Sequence, residues 1–238
     1  MKFYLQCWTV AVLAGSLQAL SGGEISGKVK LQGTPPPEMT INEAEATCGK
    51  FMTKKPLKTR HYVVGADQGL ANVFVYIKSG APKTPPSGEG TTLDQANCEY
   101  VPYVMGVQAG QKFKIKNSDP AMHNVHATPK VNGEFNFAQP LQNQVSEKAF
   151  FDKQEVTVRM KCDVHPWMFA YIGVTEHPYF AVTDKDGNFK IAGVPDGKYT
   201  VEAFHVKTHT AKGQGVSKEI DVKGSTTAEF TVEIPAAP

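Results

Sequence analysis

An excess of charge of either sign is missing from this chain. Its 25 basic and 23 acidic residues leave a net +2 over 238 residues and are mixed along its length. No basic face is present to attract nucleic acid, and no acidic tail to act as a solvating segment. Long apolar runs are missing after about residue 20, so nothing beyond that point can cross a bilayer as a helix. Helical periodicity is missing as well, and no internal repeat exists beyond generic strand spacing. Cysteine is sparse, with four in all, which makes each one informative.

What is there begins with Met1-Lys2 and an apolar run over residues 3–20, closed by Ala19-Leu20-Ser21. A positive start, a greasy middle and small residues have the order of a secretory signal, so residues 1–21 are predicted to be cleaved after Ser21. Retention as a membrane anchor is the alternative, although Gln6, Ser16 and Gln18 interrupt the run. The mature protein is then periplasmic or secreted, with no span after cleavage. Cys7 leaves with the signal, and Cys48, Cys98 and Cys162 stay. In an oxidising compartment two thiols pair. Cys48 and Cys98 lie in polar, unpatterned stretches and are the natural pair, leaving Cys162 odd.

Strand patterns fill most of the rest. Residues 24–31 alternate, and Val73-Phe74-Val75-Tyr76-Ile77 is a continuous β-branched and aromatic run. Residues 79–97, dense in Gly, Pro, Ser and Thr, read as an exposed loop. Residues 100–107 and 111–116 predict two more strands, and residues 130–150 one or two. Asp186-Gly187 and Asp196-Gly197 mark hairpins further on. Glu43-Ala44-Glu45-Ala46 is long enough for one helical turn, and His61-Tyr62-Val63-Val64 for a short strand. The predicted class is all-β, a Greek-key β-sandwich with additional strands from both ends of the chain. Its expected segments are 22–98, a β segment with a Pro/Gly-rich loop; 99–176, a metal-binding domain; and 177–238, a C-terminal β segment.

One stretch concentrates chemistry. Cys162-Asp163-Val164-His165-Pro166-Trp167-Met168 puts a thiol, an imidazole and a thioether at intervals of three, too tight for the alternating faces of one strand but right for a loop that wraps round a point. Those are three of the four donors of a mononuclear copper electron-transfer site. A second imidazole is expected from Met122-His123-Asn124-Val125-His126, which follows the turn Asn117-Ser118-Asp119-Pro120. On the residues alone, His123 and His126 are nearly equal candidates.

Together the two motifs resemble the small blue-copper proteins, the cupredoxins. The likeness is nearest to the amicyanin group, with its short Cys-x-x-His-Pro-x-Met loop; plastocyanins carry a longer gap before the Met. It spans residues 101–174. The resemblance implies His123, Cys162 and His165 as equatorial copper ligands and Met168 as the axial one. It also implies that Asn124 steadies the two loops and that His126 lies just outside the ligands, and His165 is the expected solvent-edge path for an electron. Trp167 is read either as an aromatic contact for a redox partner or as a packing lid. Residues 179–204, with Asp-x-Asp-Gly and Pro-x-Gly-x-Tyr patterns, resemble the carboxypeptidase-regulatory or transthyretin-like sandwich, with residues 25–29 and 73–76 as its first strands. That second likeness implies scaffold and the possibility that the copper domain is inserted into it.

The expected function is a one-copper, type 1 carrier of single electrons between redox partner proteins. Enzymatic activity is not expected, because the remaining histidines show no pairs for a second copper centre. Copper storage or delivery is an alternative, as is an extracellular structural sandwich with a vestigial site.

Overall fold

The computed structural model describes residues 22–53, 56–207 and 214–234. The signal segment and Cys7 lie outside the described residues. In chain order, β1 (Gly23–Gln32), the single-turn α1 (Glu43–Cys48) and β2 (Phe74–Ser79) come first. Then follow β3 (Leu93–Ala96), β4 (Glu99–Val101), β5 (Val104–Gln108), β6 (Lys112–Asn117), β7 (His123–Thr128), β8 (Phe135–Gln139), β9 (Val145–Ala149), β10 (Glu155–Lys161) and β11 (Phe169–Thr175). The last are β12 (Phe180–Val182), β13 (Asn188–Val194), β14 (Gly197–Phe204), β15 (Val216–Val222) and β16 (Ser225–Glu233).

These strands make an all-β molecule of two sandwiches. An inner one, in chain terms, stacks the sheet β5-β11-β10-β7-β8 on the sheet β4-β3-β6-β9. Leu93, Tyr100, Phe113 and Ile115 from the second sheet share a buried core with Val125, Met160, Ile172 and Val174 from the first. The outer sandwich stacks β13-β1-β16 on β12-β2-β14-β15, with Ile25, Val29 and Phe230 buried against Val75, Ile77 and Val201. Its central strand β1 pairs with β13 antiparallel and with β16 in parallel, so strands from the two ends of the chain close it. A third apolar cluster, Phe74, Tyr76, Tyr103 and Val104 with Phe169, Tyr171 and Phe180 against it, joins the two sandwiches.

Three local expectations change. Within residues 79–97, read as loop, β3 forms and pairs with β4 and in parallel with β6. Its Leu93 and Gln95 are fully buried, the latter bonded through Nε2 to Gln139 Oε1 at 2.5 Å. The Gln95 amide N–H groups are met by Gln139 Oε1 and the Lys116 carbonyl, which lowers the cost of burying them, and a polar four-residue strand leaves no apolar periodicity to read. The strand predicted over residues 100–107 divides into β4 and β5. His61-Tyr62-Val63-Val64 is not a strand; only Val64 makes a bridge, to Leu70.

Candidate metal centre

The loop between β10 and β11 is short because its neck is already a ladder: Lys161 pairs with Phe169. Immediately inside, Cys162 N–H donates to Met168 O at 3.0 Å and Met168 N–H to His165 O at 2.8 Å. These two bonds fold residues 162–168 into a closed turn with Cys162 and Met168 at its mouth. Both are 1% exposed.

The second approach comes from the turn before β7. Asn117 Oδ1 accepts Asp119 N–H at 3.0 Å, and Asn117 Nδ2 donates to Ala121 O at 2.8 Å, so one side chain shapes residues 117–121 from inside. His123 opens β7 on its buried face. Burial alternates along the strand, which puts His126 on the opposite face. His126 is bonded there to Asp163 Oδ2 at 2.8 Å and Glu134 Oε1 at 2.7 Å.

Donor atoms of His123, Cys162 and His165 lie within 4.8 Å of one another, all buried. The Nδ1 atoms of the two imidazoles are 2.9 Å apart, and His165 Nδ1 is 3.7 Å from Cys162 Sγ. On its far side His123 Nε2 meets Asp119 Oδ2 at 2.9 Å, and Asp119 is 4% exposed. A carboxylate only accepts, so Nε2 carries the ring proton and Nδ1 presents its lone pair inward. Asn124 N–H donates to Cys162 Sγ at 3.4 Å, and Asn124 Oδ1 accepts the Asp163 amide; these bonds tie β7 to the loop. Tyr100 Oη adds bonds to Asn124 O at 2.8 Å and Lys161 O at 3.3 Å.

The electrostatics favour an ionised sulfur. Burial pushes the Cys162 thiol up, but bonds from the His123 and His165 rings and from the Asn124 and His165 amides outweigh it and bring it down to about 6. Burial pulls the His123 imidazolium down, while Asp119 and Cys162 more than offset that and leave it raised. A sulfur whose ionisation is favoured and two imidazole rings share one buried point, a set suited to a soft or borderline metal ion.

His165, expected at the solvent edge, is only 5% exposed. The Trp167 ring lies 5.2 Å from it, and a ring nitrogen of His165 is within 4.8 Å of both Cys48 Sγ and Cys98 Sγ, which form a disulfide with Cα atoms 6.3 Å apart. Trp167 Nε1–H donates to Cys98 O at 3.1 Å, so the indole packs and is partly buried. The cover comes from residues with weak patterns, which gave no sign that they would lie here. Asp119 was legible only as a turn residue; its spacing of four before His123 was the available signal.

No family model and no curated protein matches the chain. Among solved structures it is similar to a copper(I) form of an amicyanin mutant, at 23% identity over 42% of this chain and 97% of that one, TM-score 0.32. It is similar also to a purple cupredoxin from Nitrosopumilus maritimus, at 19% identity over 37% of this chain and 100% of that one, TM-score 0.30. A copper-containing nitrite reductase from Thermus scotoductus SA-01 is similar at 20% identity over 43% of this chain, TM-score 0.32, and the match spans 25% of the reductase.

Proposed function

We propose that this protein binds one copper ion through His123, Cys162, His165 and Met168 and carries single electrons between redox partner proteins outside the cytoplasm. The observation that carries the reading is the buried convergence of two imidazoles and a thiolate, with donor atoms within 4.8 Å. Copper in such a set supplies a one-electron couple. The chain's own contribution is to hold the donors in place whether or not the electron is present. Asp119 orients His123, the Asn124 amide bonds the Cys162 sulfur, and the paired neck of the loop fixes Cys162 against Met168. Little reorganisation on electron transfer is the physical requirement for a fast carrier, and a site tied this closely meets it.

Burial of all three donors argues for holding the metal rather than handing it on. A location outside the cytoplasm is supported by the Cys48–Cys98 disulfide and by the order of residues 1–21. No helix among the described residues is long and apolar enough to cross a membrane. The outer sandwich is read as scaffold, without chemistry of its own.

The test is optical. Loaded with Cu(II), the purified protein shows intense visible absorption from thiolate-to-copper charge transfer, and Cys162→Ser abolishes it. A colourless loaded protein, or a band that survives in the Cys162→Ser variant, overturns the reading. Rapid loss of copper to a modest chelator supports storage or delivery instead.

A further inference from the structure

Cys98 reaches the surroundings of both imidazoles at once. Its N–H donates to Asp119 Oδ2 at 2.8 Å, the same oxygen that meets His123 Nε2. Its carbonyl accepts the Trp167 indole N–H at 3.1 Å, and that indole lies against His165. Its Sγ lies within 4.8 Å of Cys48 Sγ and a His165 ring nitrogen on one side, and of an Asp119 oxygen and a His123 ring nitrogen on the other. Asn97 helps from next door, donating N–H to Asp119 Oδ1 at 2.6 Å.

The conformation that allows this is not one a cysteine prefers. Asn97 and Cys98 form the two-residue turn between β3 and β4, where Ala96 pairs with Glu99, and have φ of +62° and +56°. Turns of this hand favour Asn and Gly. Asn97 suits its place, whereas Cys98 carries a Cβ into the left-handed region, which L side chains disfavour. It is bonded there to Cys48 at the end of α1, with both residues fully buried.

We infer that Cys98 is a positioning residue for the metal centre, and that its disulfide to Cys48 is what keeps both histidines in register. The inference rests on the copper reading above. The disulfide acts through backbone: it fixes one turn, whose amides hold the carboxylate behind His123 and whose carbonyl holds the indole over His165.

The experiment compares wild type, Cys48→Ala/Cys98→Ala and Cys48→Ala/Cys98→Gly, following the histidine ring nitrogens by NMR in the metal-free protein and Zn(II) affinity by competition titration. The alanine pair shifts and broadens the ring signals of both His123 and His165 and weakens Zn(II) binding about 10- to 100-fold, the usual effect of losing groups that orient a metal's ligands. The glycine pair, free to adopt positive φ without the bond, recovers most of the affinity. Unchanged ring signals and affinity in a folded alanine pair overturn the inference, as does glycine no better than alanine. Should both pairs fail to fold, reduction of the Cys48–Cys98 disulfide in the metal-free wild type decides: it shifts the ring signals of both His123 and His165, and no shift overturns the inference. Failure of the copper reading is separate, since it shows as a colourless Cu(II)-loaded wild type.

Discussion

Phe74 of the outer sandwich occupies the space that a side chain at Gly173 of the inner one would need. A Cβ on Gly173 would stand 2.4 Å from two atoms of the Phe74 ring. Gly106 is paired directly beside Gly173 in the parallel β5–β11 ladder, and a Cβ there would meet Phe180 at 2.3 Å and Phe74 at 2.8 Å. Two adjacent glycines thus form a flat seat for the rings that join the sandwiches, on β11, the strand that follows the 162–168 loop, and on its neighbour β5. Gly173→Ala is expected to lower stability by about 1–3 kcal/mol through overpacking. Urea denaturation measures it, and an unchanged midpoint contradicts the packing described.

Asp119→Asn keeps the shape of the side chain but lets an amide present either an oxygen or an N–H to His123. With the ring proton no longer fixed on Nε2, copper or Zn(II) affinity is expected to fall about 10- to 100-fold. Unfolding temperature serves as the control, because a loss confined to stability would show that Asp119 only packs.

His123 and His126 separate cleanly by the face of β7 they occupy. His123→Ala is expected to abolish the visible band of the Cu(II)-loaded protein, whereas His126→Ala retains it. His126 has carboxylates on both ring nitrogens and stands outside the converging donors. Absorption spectra of the two variants settle the assignment; the opposite result would exchange the two roles.

Acid sensitivity is expected from Glu202, which is 2% exposed. Burial pushes its carboxyl up, but bonds from Lys78, Ser217 and Tyr76 outweigh that and leave it below the ordinary value. Its folded affinity for a proton is therefore lower than its unfolded one, so its contribution is complete above about pH 4.5 and is lost as pH falls through the depressed value. Glu202→Gln is expected to cost about 2 kcal/mol at neutral pH and to flatten the fall in stability below about pH 4.5. Thermal unfolding at several pH values checks this, and parallel curves for variant and wild type would contradict it.

The loop of residues 162–168 was legible as a candidate because it is local. Cys162, His165 and Met168 lie within one turn, and the chemistry of their donors is written in their order. The strands of both sandwiches were legible where apolar residues alternate or run together, as in β1 and β2. Relationships between distant segments were not. Asp119 meets the turn at Cys98 across a separation of 21 residues, and Trp167 reaches Cys98 across 69; neither residue type announces such a partner. β3 was missed for a related reason, since Gln95 is buried by virtue of Gln139, a residue on a different strand. The burial of His165 depends on a disulfide whose pairing was readable but whose position over the loop was not.

The parallel pairing of β1 with β16 has a consequence for assembly. The first strand cannot be completed until the last arrives, so its hydrogen-bonding edge stays open while the intervening segments take shape. Exposed edges of this kind recruit strands from other copies. A clipped protein lacking β16 would accordingly be more than a shortened one: it would be sticky along β1, and chain-to-chain association would be its signature.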